Sequence, residues 1–235
     1  MTPSRPSFSR SATVASTPRR VVSAVTILLV TIGIAAVGRR AYVLAFPLQL
    51  RPQLAASRFA AAASLDAGFA AHRNLTFLHI IAAFLFLSLI PFQFVDRIRR
   101  EHLAWHRWSG RILIALGAVV GLSALVMSFT MNIGGVSETA ATTLFAILFL
   151  LFLSLGFWNI RRGRVALHRE WMIRTFGVAL GVATTRPIIG AFFGATRLSP
   201  HEFFGAAFWL GFTTTLLAVE AWLHYVERRQ PDGVR

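Results

Sequence analysis

Leu144-Phe145-Ala146-Ile147-Leu148-Phe149-Leu150-Leu151-Phe152-Leu153-Ser154-Leu155-Gly156-Phe157-Trp158 carries no charge and a single hydroxyl. Its apolar residues surround the helix instead of forming a stripe, so the solvent it suits is lipid. A backbone in lipid must satisfy its own hydrogen bonds, and about 20 apolar residues cross the hydrocarbon core as a helix. Extended to Thr139 and Ile160, the stretch has that length, and five further runs match it: Val21 to Gly38, Leu75 to Val95, Trp108 to Met131, Trp171 to Gly194 and Phe203 to Tyr225. Composition agrees, with 55% hydrophobic residues, only 14% charged ones and a mean hydropathy of +0.62. The expected fold is all-α: a polytopic transmembrane bundle of about six spanning helices, its core two related helical hairpins plus one helix.

A net charge of +15 in a soluble chain suggests nucleic acid, but here all 24 basic residues are arginines and most flank the apolar runs. That placement reads as topology, and no polar tract is long enough to build a nucleic-acid surface. With the N-terminus inside, 17 arginines fall on the inner segments and six on the outer ones, while Arg186 lies within a span. The count favours both termini in the cytoplasm, and the expected location is the inner (cytoplasmic) cell membrane. Five of the six outer arginines precede the second span, which weakens the rule at the first helix. The chain has no cysteine, so disulfides and thiolate sites are excluded and any redox chemistry needs a cofactor.

Residues 1–20 are rich in Ser, Thr, Pro and Arg and read as a disordered basic cytoplasmic tail. Residues 21–46 hold the first transmembrane helix, and 47–74 an outer loop in which Ser64 to Ala71 suits a short interfacial helix. A five-helix membrane core occupies 75–226, with a cytoplasmic tail over 227–235. Short outer turns at Gly134-Gly135 and Pro200 make neighbouring helices antiparallel. The third and fifth spans then run the same way, and each starts at a related string: Trp105-His106-Arg107-Trp108-Ser109-Gly110-Arg111 and Leu167-His168-Arg169-Glu170-Trp171-Met172-Ile173-Arg174. Repeats of this kind often share a site at their interface.

Together with Pro91-Phe92-Gln93-Phe94 and Arg186, these strings resemble the bacterial membrane family catalogued as domain of unknown function 2306, over Leu75 to Tyr225. His79 stands where that family tends to place a histidine. The resemblance implies a multi-helix integral membrane protein and supplies no activity.

The most specific reading of the His-Arg strings is a haem b. His106 and His168 open two parallel helices on one face and can act as axial ligands. Trp171 and its neighbours can pack the macrocycle, while Arg107, Arg111, Arg169 and Arg174 can pair with propionates through bidentate forks. The corresponding function is electron transfer. A plainer reading makes the same residues interfacial anchors, since Trp and Arg both favour the headgroup layer. A third makes the arginines a site for an anionic lipid headgroup or small metabolite in a non-catalytic or transport protein. No nucleophile elbow, phosphate loop or carboxylate pair within the membrane points to an enzyme, and whether the protein is one is left open.

Arg186 is the costliest residue in the chain, some fifteen residues into the fifth span. Its expected partners are Glu138, Glu202 and His79, and it reads equally as a buried staple or a functional group. On the inner half, Glu220 and His224 share a helix face, and Gln93 is expected to join them, His106 and His168 in one polar cluster. No compact metal motif supports a metal there. Glycine pairs at Gly117/Gly121 and Gly177/Gly181 suit close helix packing.

Overall fold

The computed structural model describes residues 17–46, 68–131 and 133–228. They form α1 (Thr17–Ala45), α2 (Arg73–Gln93), α3 (Asp96–Glu101), α4 (Leu103–Thr130), α5 (Gly135–Arg161), α6 (Val165–Ala195) and α7 (Pro200–Glu227). Six of these are long and apolar enough to cross a membrane. Among the described residues there is no strand. The all-α, six-span expectation is met, but the helices outrun the apolar runs that announced them. α4 begins at Leu103 and α6 at Val165, so both His-Arg strings are helical from the start. Arg39 and Arg40 likewise belong to α1, beyond the apolar run that ends at Gly38 and within the helix expected over 21–46. A helix in a membrane has no reason to end where hydropathy does, because long arginine stems reach the interface from inside it. The short α3 has no counterpart among the apolar runs, and most of the expected outer loop and all but the end of the N-terminal tail lie outside the described residues.

Packing order is not chain order. α2 lies on α4, α4 on α5, and α5 on α6; α7 packs on both α5 and α6. α1 touches α2 and α6, closing a ring. It is the peripheral member: 6% of its apolar window is buried, against 44% for α6. The core joins Phe86, Ile90, Leu113, Phe149, Leu153 and Phe176 near the middle of the bundle. Small residues set the closest crossings. A Cβ on Gly117 would meet Leu153 and Phe86, and one on Gly121 would meet Leu150. Cβ atoms on Gly177 and Gly181 would strike Val219 and Phe212 of α7. Each expected hairpin, α4–α5 and α6–α7, thus closes on a glycine pair of its first helix, where dispersion contacts replace the hydrophobic effect as the cohesive force.

The turns have local causes. Gly135 (φ 63°) and Gly163 (φ 72°) adopt the left-handed conformation at the two ends of α5. Glu138 accepts the backbone N–H groups of Ile133 and Gly134, both at 2.6 Å, capping the start of α5. Glu202 accepts from the Ser199 N–H at 2.7 Å and its hydroxyl at 2.8 Å, with Pro200 opening α7.

Candidate functional site

The bundle has two unlike ends. The basic end carries α3, the starts of α4 and α6, and the Arg161–Arg164 turn. Here the residues expected in one polar cluster make three sets of interactions. The Gln93 amide donates to Ser109 Oγ at 2.7 Å, tying α2 to α4. Arg174 grips Glu220 through two bonds, Nε to Oε1 at 2.7 Å and Nη2 to Oε2 at 3.0 Å, and lies 3.6 Å from Glu170. His224 is exposed one turn further along α7. His106 and His168 form the third group, within electrostatic reach of each other. The His168 Nδ1 lies 2.8 Å from the Gly156 carbonyl oxygen, while the His106 Nδ1 is buried without a hydrogen bond. Among the described residues no three His, Asp or Glu side chains converge on a metal position.

The aromatic residues of this end turn mostly outward. Trp108 is 66% exposed with Arg111 over its ring at 5.7 Å, and Trp158 is 54% exposed beneath Arg162 at 4.2 Å. Trp171 packs against Phe152 and under Arg174. Arg107 and Arg169 are exposed. Arg99, paired with Asp96, has its guanidinium pushed below the usual arginine range by burial and by Arg169 and Arg100.

The opposite end holds what the sequence did not disclose. A cavity of ≈ 760 Å³ opens between α1, α2, α4, α5, α6 and α7. Its body is apolar, with Phe86, Phe145, Phe149, Phe204, Phe208 and Phe212 among its walls. Its charged and basic lining comes from Arg39, Arg40, His79, Glu138 and Arg186. Counting 1.5 Å per residue, His79 lies about 9 Å from the start of α2 and Arg186 about 13 Å from the end of α6. Arg186 is within electrostatic reach of His79, Glu138 and Arg39. Yet its Nε, buried, makes no hydrogen bond. Of its three expected partners, Glu202 is spent on the Ser199 cap, and Glu138 directs Oε2 to the start of α5.

His106 Nδ1 and Arg186 Nε are the two buried side-chain polar atoms left unbonded among the described residues. Both residues stand out in the sequence. The cavity does not, because a phenylalanine facing a void and one facing lipid look alike in a sequence. The signal within reach was the set His79, Glu138 and Arg186, three costly groups on different helices towards one end of the bundle.

The family model described as "Predicted membrane protein (DUF2306)" matches residues 76–223, more than half the chain, and the protein belongs to that family. The match spans α2 to α7 and leaves out α1, which nonetheless supplies Arg39 and Arg40 to the cavity. No curated protein and no solved structure matches the chain.

Proposed function

We propose that the protein binds an amphiphile with an anionic head in the cavity, its apolar body among the phenylalanines and its head at Arg186. The observation that carries this reading is the unbonded Arg186 Nε beside a cavity of ligand size. A guanidinium out of water costs several kcal/mol unless an anion with suitable oxygens meets it. Glu138 directs its Oε2 to the start of α5 instead, and a ligand head in the adjoining cavity supplies the missing oxygens. Anion binding is thus proposed at Arg186 and not at Arg174, which is already joined to Glu220. The protein sits in the inner cell membrane with both termini cytoplasmic. The arginine excess at the basic end supports this, and Arg39 and Arg40, two exceptions to the charge rule, line the cavity.

Native mass spectrometry of the full chain released from lipid nanodiscs tests the reading. An acidic amphiphile should remain bound to the wild type and be lost from Arg186→Gln. Equal retention by the two proteins contradicts it.

One observation favours haem b as a second reading, with electron transfer as the role. A carbonyl only accepts, so the His168 Nδ1 carries the proton and leaves the Nε2 lone pair for a metal. His106 lies within electrostatic reach, and Arg107, Arg111 and Arg169 are exposed for propionates, while Arg174 is held by Glu220. The group would supply one-electron chemistry. Visible spectra of protein made with ample haem test this: a Soret band lost in His106→Ala and His168→Ala supports it, and a colourless folded protein sinks it.

A further inference from the structure

His79 adds a requirement to the cavity that Arg186 alone does not impose. Its Nδ1 lies 2.9 Å from Ser123 Oγ. Ser123 has one proton, and backbone carbonyls, which cannot donate, stand at 2.5 Å (Val119) and 3.1 Å (Val120) from its oxygen. The hydroxyl therefore donates to the backbone, and Oγ must accept from the ring. The neutral imidazole is fixed with hydrogen on Nδ1, and Nε2 is left as an acceptor. His79 lines the cavity within electrostatic reach of Arg186. The polar end thus offers donors from the guanidinium and an acceptor from the imidazole.

A ligand head that answers both presents an anionic oxygen and a donor, and the most compact such head carries an O–H on the anionic group itself. Carboxylates and sulfate monoesters present acceptors only. A phosphate monoester, whose second pKa is about 6, retains one P–O–H in its mono-anion. Resting on the amphiphile reading above, we propose that the ligand is a long-chain phosphate monoester, bound as the mono-anion. A P–O⁻ oxygen accepts from Arg186, the P–O–H donates to His79 Nε2, and the chain fills the phenylalanine-lined body. Inorganic phosphate has the same head but nothing for the apolar walls, so it binds weakly.

The test measures binding of hexadecyl phosphate, hexadecyl sulfate and inorganic phosphate to the full chain in nanodiscs, at a pH of about 5, below the phosphate's second pKa, where the mono-anion predominates. The wild type should prefer the alkyl phosphate to the alkyl sulfate by about tenfold, the worth of one hydrogen bond to a charged group. His79→Phe should erase that preference while retaining the alkyl sulfate, and inorganic phosphate should fail to displace either. Equal binding of the two alkyl anions overturns the phosphate assignment and leaves the amphiphile reading standing. A preference that survives in His79→Phe overturns it too, since charge alone then explains it. Displacement by inorganic phosphate would assign the site to the free anion. If neither alkyl anion binds the folded wild type, the amphiphile reading itself fails. The wild-type comparison needs no variant, so a misfolded His79→Phe does not spare the proposal.

Discussion

The two ends of the bundle treat charge in opposite ways. At the basic end arginines are plentiful and cheap: Arg174 holds Glu220 and Arg97 holds Glu101, while Arg111 and Arg162 lie over exposed tryptophans. At the other end the charged groups are few, and Arg186 Nε is buried without a bond beside a cavity. Abundance at an interface reports topology and anchoring. Scarcity within a span, with a bond unmade and space beside it, is the ground on which the site is proposed at Arg186.

Substitutions at the two ends should separate these roles. The largest effect is expected at Gly181→Leu, which drives a side chain into Phe212, a cavity wall. Overpacking of this kind costs about 1–3 kcal/mol, and it should lower both thermal stability and amphiphile binding. Unchanged values for both would mean that α6 and α7 pack differently. Next is Glu220→Gln, which takes from Arg174 its closest carboxylate and leaves it Glu170 at 3.6 Å. Hydrogen bonds to charged groups are worth about 1.5–3 kcal/mol, reduced here by partial exposure to about 1 kcal/mol. Melting should fall with no change in amphiphile affinity, and a change in affinity would couple the ends that the comparison separates. Smallest is Trp108→Ala, which removes an exposed cation–π contact worth about 0.5 kcal/mol and should leave affinity intact. A haem-linked loss of absorbance in that variant would instead make the basic end a site.

Much of this was legible in the sequence. Six spans, antiparallel hairpins and the glycine-paired crossings follow from apolar length, short turns and four-residue spacing. Arg186 stood out by its depth, and two of its three expected neighbours, His79 and Glu138, are its electrostatic neighbours in the bundle. Three things were not legible. Glu202 looked free for Arg186, but a carboxylate three residues past Ser199 finds its own helix start first. The partners of Gln93, Glu220 and His168, expected in one cluster, were not legible, because shared depth does not fix rotation about a helix axis. The cavity depends on how far apart six helices stand, and α1, apolar on all sides, gives no sign of which face it turns inward.

Photo-crosslinking tests the central claim most directly. A hexadecyl phosphate with a diazirine along its chain would be bound to the protein in nanodiscs, irradiated, and the labelled residues mapped. Binding in the cavity predicts labels at Phe145, Phe149, Phe204 and Phe208, all competed away by unlabelled hexadecyl phosphate. Labels confined to outward-facing residues such as Val126 and Leu217, or to Trp108 at the basic end, would contradict it.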